Sequence, residues 1–368
     1  MRNLAFPLLF ISILAIMGFS LFYLGGATAD VFGMETTWPF VMGYAGILFY
    51  MMFGTFRFTN STTRMGSLGF KSATLTMGYT LYLLVCLLIV DLAILLGAPI
   101  ESFRFELAAV GALGLTTYGY LNAKRTRVTE HSLPLENLEK PIKAVHLTDT
   151  HLGHFRGPKT MEKWVQTINE INPEVVFFTG DFLDSTIQLT LESMKPLTGI
   201  KAPVFFVEGN HDKATGIGPI VHTLKEMGIH VLENQMVEWN GIEILGLKHM
   251  SADSNHRSPH TGNNGPTVQS VVENAPISQD KTTVLLHHSP DGLAYAEAAN
   301  VQLFLAGHTH GGQLWPISWI ANALFELNRG LKKLGGMYTY VSLGTGTFGP
   351  PLRVGTFSEI AVLNLTPK

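Results

Sequence analysis

The chain has 368 residues, enough for two domains of ordinary size. Charged residues make up only 14 % of it, against about 25 % in a typical soluble domain. The net charge of −3 argues against a polybasic nucleic-acid binder, so no nucleic-acid partner is expected. Cys86 is the only cysteine, which excludes an intramolecular disulfide. Long uncharged stretches lie before Lys124, and the remainder has the composition of a globular enzyme.

Four apolar segments come first, at residues 4–25, 38–56, 74–96 and 105–121. Each approaches or exceeds the ~20 residues that a helix needs to cross the hydrocarbon core of a bilayer. Buried helices of a soluble domain are the alternative, but such helices rarely run this long without polar breaks. We therefore predict a transmembrane helical domain at residues 1–124, with about four helices and the bilayer as its partner.

The first apolar segment could instead be a signal peptide. Arg2 supplies a basic start, and Ala27-Thr28-Ala29 resembles a cleavage site. The apolar stretch is longer than the usual ~7–15 residues, which favours a retained helix.

Basic residues predict the orientation. They lie in the loop after the second segment and directly after the fourth: Arg57, Arg64 and Lys71, then Lys124, Arg125 and Arg127. The loop between the first two segments has acids and no Lys or Arg. The positive-inside rule therefore places the C-terminal domain in the cytoplasm, in a multi-pass membrane protein.

Asp91 is an acid inside the third apolar segment. An intramembrane carboxylate is a functional candidate by default, and Asp91 is the only support for a transporter or receptor built on the helices. We favour the alternative that the helix ends near Asp91, which then lies at the outer interface.

An α/β domain is predicted after a linker. Residues 125–141 are polar and contain Pro134 and Pro141, which indicates the linker. In residues 142–368 short apolar runs alternate with amphipathic stretches. Strands are predicted at 143–147, 175–179, 204–207, 242–247, 283–286, 301–306, 338–342 and 360–365. One helix has an apolar face formed by Met161, Trp164, Val165, Ile168 and Ile171.

Polar side chains follow five of these strands. They are Asp149 and His151, Asp181 and Asp184, Asn210 and His211, His287 and His288, and His308 and His310. Ligands of α/β sheets bind beyond the carboxyl ends of the strands, so these loops are expected to converge. Alone, each motif has a structural explanation, such as a turn or a helix cap. Five of them in succession indicate a site.

The residue types indicate metal chemistry. Carboxylate, imidazole and amide groups suit Mn²⁺, Fe²⁺ or Zn²⁺, and they outnumber the ligands of one ion. Two ions can share a bridging carboxylate and a bridging hydroxide, and such a pair suits in-line attack of that hydroxide on phosphorus.

The five motifs match the pattern D-x-H, G-D-x-x-D, G-N-H-D/E, H and G-H-x-H, and the chain thereby resembles the calcineurin-like metallophosphoesterase superfamily over about residues 144–365. The stretch from Tyr340 to Thr347, with Arg353 and Glu359, resembles its membrane-attached phosphodiesterase branch. Some relatives there and in a neighbouring branch cleave the pyrophosphate of UDP-diacylglucosamine. The resemblance implies a four-layer α/β sandwich of two mixed sheets flanked by helices.

The resemblance also implies a role for each motif residue. One divalent ion is held by Asp149, His151 and His310, the other by Asn210, His288 and His308, and Asp181 bridges them. His288 rather than His287 is chosen because the ligand in this branch precedes x-Pro-Asp. His211 is the leaving-group acid or transition-state stabiliser, with Asp184 orienting it. Mn²⁺ is the expected ion, with Zn²⁺ and Fe²⁺ as alternatives.

Two stretches depart from the pattern. Ser185 stands where the family's Ser/Thr protein phosphatases have an arginine, which argues against a protein phosphatase. The polar segment 248–269 matches no motif, and we expect its His249, His256 and His260 to be loop residues rather than ligands.

Residues 314–334 bear on the substrate. Aromatic and aliphatic side chains there precede Arg329, Lys332 and Lys333, a pattern that suits a membrane interface. Packing on the protein's own core is an equal alternative. The leading hypothesis is a phosphodiesterase or pyrophosphatase acting on a lipid-linked or nucleotide-lipid phosphoester. The competing one is a non-catalytic membrane scaffold that retains the fold.

Overall fold

The computed structural model describes residues 5–255 and 265–368 and divides into two compact units, residues 1–118 and 119–368. The helices are α1 (Ala5–Val31), α2 (Trp38–Phe58), α3 (Arg64–Leu95), α4 (Arg104–Ala123), α5 (Pro158–Ile171), α6 (Leu191–Met194), α7 (Asn210–Glu226), α8 (Val268–Asn274), α9 (Leu293–Ala298) and α10 (Ile317–Leu324). The strands are β1 (Thr126–Leu135), β2 (Ile142–Leu147), β3 (Val175–Thr179), β4 (Val204–Val207), β5 (His230–Val231), β6 (Gln235–Trp239), β7 (Ile242–Gly246), β8 (Thr282–Leu286), β9 (Leu303–Ala306), β10 (Gly330–Leu334), β11 (Met337–Val341) and β12 (Ser358–Pro367).

The first unit is helical. Among the described residues, three helices are long and apolar enough to cross a membrane: Leu14–Val31 within α1, then α2 and α3. The prediction of four such helices is wrong for the last one. Residues 105–121 do form a helix within α4, but Arg104 and Glu106 lie in its first turn and reduce its apolar character.

Asp91 lies in the last turns of α3 and is paired. Arg104 donates to both of its carboxylate oxygens, at 2.5 and 2.7 Å, and the Tyr23 hydroxyl donates to it as well. Arg104 also reaches Asp30 of α1, at 3.2 Å. Arg104 is therefore a structural partner of opposite charge for Asp91. Together these bonds connect α1, α3 and α4.

The second unit contains, within its described residues, two six-stranded mixed sheets. Their strand orders are β1-β12-β2-β3-β4-β5 and β10-β11-β9-β8-β7-β6. In the first sheet β12 runs antiparallel to β2 and parallel to β1, while β2 to β5 are parallel. In the second, β7, β8, β9 and β11 are parallel and the outer strands β6 and β10 antiparallel.

The four layers follow from apolar strands that are buried on both faces. Side chains alternate along a strand, so Val176 and Phe178 of β3 pack against α5, while Val175 and Phe177 pack between the sheets. On β8, Val284 joins that inter-sheet core. The outer face of the second sheet packs against α8 and α9. The predicted α/β sandwich of two mixed sheets is therefore confirmed.

Four strands were not predicted, namely β1, β5, β6 and β10. The most consequential is β1, because it occupies most of the predicted linker, residues 125–141. Its ten residues pair in register with β12. Pro134 is tolerated there because β1 is an edge strand, where a missing N–H leaves no partner unpaired.

The β1 packing generates a stability prediction. Leu133 of β1 is fully buried between the sheets, whereas Val128 of the same strand is 49 % exposed. We expect Leu133→Ala to lower the free energy of unfolding by about 2–5 kcal/mol. Val128→Ala should change it by less than about 0.5 kcal/mol. Denaturant unfolding of the detergent-purified protein measures both, and equal small effects would show that β1 is not part of the core.

Candidate metal centre

The five predicted loops converge beyond the carboxyl ends of β2, β3, β4, β8 and β9. Among the described residues, three groups of side chains bring their ligand atoms within 4.8 Å of one another, and one of them, formed by His151, Asp184 and His211, shares His151 with another. The first group is Asp149, His151 and His310, and the second is Asp181, His288 and His308. Almost all of these side chains are buried.

In the first group, the donor atoms point at a common centre. The Nε2 atoms of His151 and His310 lie 3.0 Å apart. The Asp149 Oδ1 atom lies 3.3 Å from His310 Nε2 and 3.6 Å from His151 Nε2. Two imidazole nitrogens and a carboxylate in this arrangement form a set that borderline divalent ions prefer.

Asp181, a member of the second group, also approaches the first. Its Oδ2 is 3.1 Å from His288 Nε2 and 3.8 Å from His151 Nε2. Within the second group, His308 Nδ1 lies 3.2 Å from His288 Nε2. A carboxylate in this position can serve both groups at once. His287, by contrast, points away and hydrogen-bonds through Nδ1 to the carbonyl of Ser289, at 2.7 Å.

The charge of Asp181 acts strongly on His288. Burial alone would lower the pKa of His288, but the charge of Asp181 and the hydrogen bond to it raise the pKa to about 9. A protonated imidazole thus balances the buried carboxylate when no ion is bound. A metal ion must displace that proton, so affinity for metal should increase with pH.

At this site two buried side chains, Asn210 and His249, have polar atoms without a hydrogen-bond partner, and such atoms fit a metal. The Asn210 Oδ1 atom, at the start of α7, is buried and unpartnered. Both ring nitrogens of His249 are also buried and without a hydrogen-bond partner. The centre of the His249 ring lies 5.8 Å from that of the His288 ring and 6.0 Å from that of the His308 ring. Buried polar atoms without partners are costly, and a cation or its water ligands would satisfy them.

His249 was expected to be a loop residue only. Its burial beside the second group was not predictable, because no motif surrounds it. The other two histidines of that segment, His256 and His260, lie outside the described residues.

Asp184 links the first group to His211. Its Oδ1 lies 2.5 Å from His151 Nδ1 and 2.9 Å from His211 Nδ1. Burial lowers the pKa of His211, but the bond to Asp184 and the charges of Asp181 and Asp184 outweigh it and raise the pKa above 6.5. The His211 side chain is partly exposed, at 26 %, so it is accessible from solvent.

The backbone at the site is strained. Asp149, His151, Asp181, His308 and His310 all have a positive φ, between 46° and 72°. Residues other than glycine rarely adopt this left-handed conformation, and it persists only where the surroundings impose it. Such strain concentrates at functional sites, and here it aims five side chains at one place.

Two glycines permit the close approach of these loops. A Cβ atom at Gly209 would lie 2.1 Å from Asp181 Oδ1, and one at Gly307 would lie 2.1 Å from Asp149 Oδ2. Any side chain at either position would displace a carboxylate of the site.

Two further residues hold the loops, and their roles were not predicted. Both carboxylate oxygens of buried Asp212 accept backbone N–H groups, from Phe182, Leu183 and Gly209. Fully buried Arg353 donates to the carbonyl oxygen of His310 and contacts its Nδ1, both at 3.0 Å. In the sequence both residues stand in a recognised motif, but the motif does not say which groups they bind.

Known proteins resemble this chain in sequence. A family model described as calcineurin-like phosphoesterase matches residues 142–312. A metallophosphoesterase of Helicobacter pylori is 31 % identical over 253 residues, 68 % of this chain and 66 % of that protein. A transmembrane protein with metallophosphoesterase domain from Danio rerio is 30 % identical over 279 residues, 70 % of this chain and 62 % of its own length. The aligned region thus spans slightly less than two thirds of these relatives.

A solved archaeal phosphodiesterase is 16 % identical to this chain. The structural alignment covers 55 % of this chain and 85 % of the archaeal protein. Its TM-score of 0.32 is too low to bear on function.

The unpartnered oxygen of Asn210 generates a prediction on metal content. Asn210→Ala should weaken binding of one ion at least about tenfold and leave the other in place. Mass-spectrometric metal analysis after dialysis should then show about half the metal of the wild type. Asn274→Ala, at an exposed asparagine of α8, is the control and should retain the full amount. Full metal in the Asn210 variant would exclude it as a ligand.

Proposed function

Because the chain belongs to the calcineurin-like phosphoesterase family, we propose that it is a membrane-anchored phosphohydrolase with two divalent ions. The bond cleaved is a phosphodiester or pyrophosphate in a lipid-linked or nucleotide-lipid substrate. The observation that carries the proposal is the position of Asp181, whose carboxylate lies 3.1 Å from His288 of its own group and 3.8 Å from His151 of the other.

In this proposal each ion has three ligands of its own and shares Asp181. The first ion is held by Asp149, His151 and His310, and the second by Asn210, His288 and His308. Mn²⁺ is the proposed ion, since the set has no thiolate, and Zn²⁺ and Fe²⁺ fit the same donors. When bound, such a pair lowers the pKa of a water molecule and neutralises charge on a phosphoryl group.

His211 is the proposed proton donor to the leaving oxygen. Asp184 holds its Nδ1, which leaves Nε2 free to face a substrate. The ring of Phe348 lies 5.1 Å from that of His211 and is 54 % exposed, so it forms an apolar wall beside the donor. His211 thus combines a raised pKa, a fixed orientation and access to solvent.

An exposed apolar helix face lies next to the site and supports a lipid-linked substrate. The α10 face consists of Ile317, Trp319, Ile320 and Leu324, all exposed. The loop carrying His310 packs on α10, since a Cβ at Gly312 would lie 2.4 Å from Ser318 Cα. Phe325, at the end of α10, has its ring 6.0 Å from that of His308. An apolar face in this position fits the acyl region of a bilayer or of a substrate.

Charges support a cytoplasmic position for the catalytic unit. Lys332 and Lys333 of β10 are exposed and follow the α10 face along the chain. Basic side chains beside an apolar face suit an anionic leaflet. Basic residues at the end of α2 and in the first turns of α3, namely Arg57, Arg64 and Lys71, agree with this orientation by the positive-inside rule.

The proton-donor role predicts a pH dependence. If His211 acts as an acid, activity is lost as the pH rises through its pKa, which lies above 6.5 because of Asp184. Asp184→Asn removes the negative charge, lowers that pKa and should shift the alkaline limb of kcat to lower pH. His211→Ala should reduce kcat by about 10²–10⁴-fold.

Metal analysis of both variants is the control, because Asp184 also contacts His151. A pH profile of kcat that stays unchanged in Asp184→Asn at full metal content would exclude the acid role of His211.

The lipid-substrate proposal is tested with two substrates. Phosphorus NMR would follow cleavage of a nucleotide-diphospho-lipid in vesicles and of soluble bis-(p-nitrophenyl) phosphate, with Asp181→Asn as the blank. We expect the wild type to cleave both. The double variant Trp319→Ser, Leu324→Ser should lose at least about tenfold on the vesicle substrate, because it removes two apolar contacts, and nothing on the soluble one.

Leu191→Ser is the matched control, since Leu191 is 63 % exposed and Trp319 is 64 % exposed. Equal activity of all variants on vesicles would contradict a lipid-facing α10. No cleavage of either substrate by metal-loaded wild type would favour the non-catalytic scaffold.

A further inference from the structure

A cavity lies in the second unit, lined by none of the proposed metal ligands. Its volume is about 510 Å³, within the range of about 300–1,000 Å³ typical of small-molecule sites. We call it the Arg156 pocket, and its lining includes Tyr120, Lys124, Phe155, Arg156, Lys163 and Trp164.

Arg156 is a buried cation without a counter-ion. It is 8 % exposed, and its guanidinium donates to Thr347 Oγ1 at 2.7 Å and, weakly, to the Ala123 carbonyl at 3.5 Å. No carboxylate of the described residues forms an ion pair with it. Burial lowers the pKa of Arg156 to about 10, and the charge of Asp184 offsets only part of this effect. An unpaired buried charge destabilises a fold, so an anion that reached it would gain a strong interaction.

Two lysines add to this charge. Lys124 and Lys163 are exposed residues of the lining, and neither has an ion-pair partner among the described residues. The Lys124 ammonium lies 4.0 Å from the centre of the Tyr120 ring, which holds it beside the cavity. No described lining residue is acidic, so the cavity carries three positive charges.

The charge and the shape fit a phosphate group better than a carboxylate. A phosphate monoester has a charge of about −1.5 to −2 at neutral pH and three acceptor oxygens, whereas a carboxylate has one charge. A guanidinium binds phosphate through two parallel N–H groups. The Trp164 Nε1–H is already donated to Thr126 Oγ1, at 2.9 Å, so its ring contributes an apolar wall for the organic part of an ester.

We propose that the Arg156 pocket is an accessory binding site for a phosphate ester, separate from the metal centre. The phosphate belongs either to the headgroup of an anionic lipid or to a soluble ester. Along the chain, Tyr120 lies in the last turn of α4 and Lys124 directly follows it, after the three apolar helices, which makes lipid headgroups an available source.

Two chain segments connect the Arg156 pocket to the metal centre. Arg156 lies five residues after His151 in the same loop, and its partner Thr347 precedes Phe348, whose ring contacts that of His211. An occupied pocket therefore fixes two segments that border the proposed proton donor.

The test is calorimetric titration of the full-length, metal-loaded protein with methylphosphonate, a dianion whose P–C bond the proposed hydrolysis cannot cleave. In phosphatidylcholine nanodiscs we expect two binding events, one at the metals and one in the pocket. Lys124→Gln with Lys163→Gln should weaken only the second, by about ten- to thirtyfold. Lys159→Gln, at an exposed lysine of the same helix outside the lining, should weaken neither.

Asp181→Asn should remove the metal event and leave the pocket event, so a failure of the proposed catalytic function is distinguishable from a failure of this proposal. Arg156→Gln should abolish the pocket event, and the two lysine changes keep the test valid if that variant does not fold. Nanodiscs with phosphatidic acid separate the two sources, because a lipid headgroup would block the pocket event and a soluble ester site would retain it. A single event in the wild type, or two unchanged events in the double-lysine variant, would overturn the proposal.

Discussion

The burial of Asp181 is the constraint on which the site depends. Its side chain is 3 % exposed, and its carboxylate lies within 4 Å of imidazoles from both ligand groups. A buried carboxylate is tolerable only with cations or donors around it. The His211 backbone N–H supplies one, at 2.8 Å, and protonated His288 supplies charge. The positive φ angles of the surrounding loops show that the fold accepts strain to keep this arrangement.

Residues beyond the matched family region hold this centre in place. That region ends at residue 312, yet Arg353 binds the carbonyl of His310 together with those of Leu343, Gly344 and Gly346. Buried Glu359 accepts the Leu343 N–H at 2.7 Å and thereby fixes the same loop to β12. The C-terminal strand, through its pairing with β1 and β2, therefore supports the ligand loops although it contributes no ligand.

The sequence predicted the interior of the fold and missed its borders, for a physical reason. The predicted strands are continuous apolar runs, because they are buried on both faces. The four missed strands, β1, β5, β6 and β10, are the four edges of the two sheets. Edge strands are shorter or carry polar residues, as Lys332 and Lys333 do in β10, so their pattern resembles that of a loop. For the same reason the polar sequence of β1 was interpreted as a linker.

The site was predictable where residues form local motifs, and not where they meet only in space. Asp149 and His151 are two positions apart, so their association is visible in the sequence. The contact of Arg353 with His310 spans 43 positions, and the approach of His249 to His308 joins a segment without a motif to a motif far along the chain. Such contacts depend on the packing of the two sheets, which no local pattern encodes.

Anomalous diffraction from crystals of the metal-loaded wild type tests the central claim most directly. The account predicts two peaks about 3.5–4 Å apart, one against His151 and His310, the other against His288 and His308, with the Asp181 carboxylate touching both. A single ion, or two ions that do not share Asp181, would contradict it.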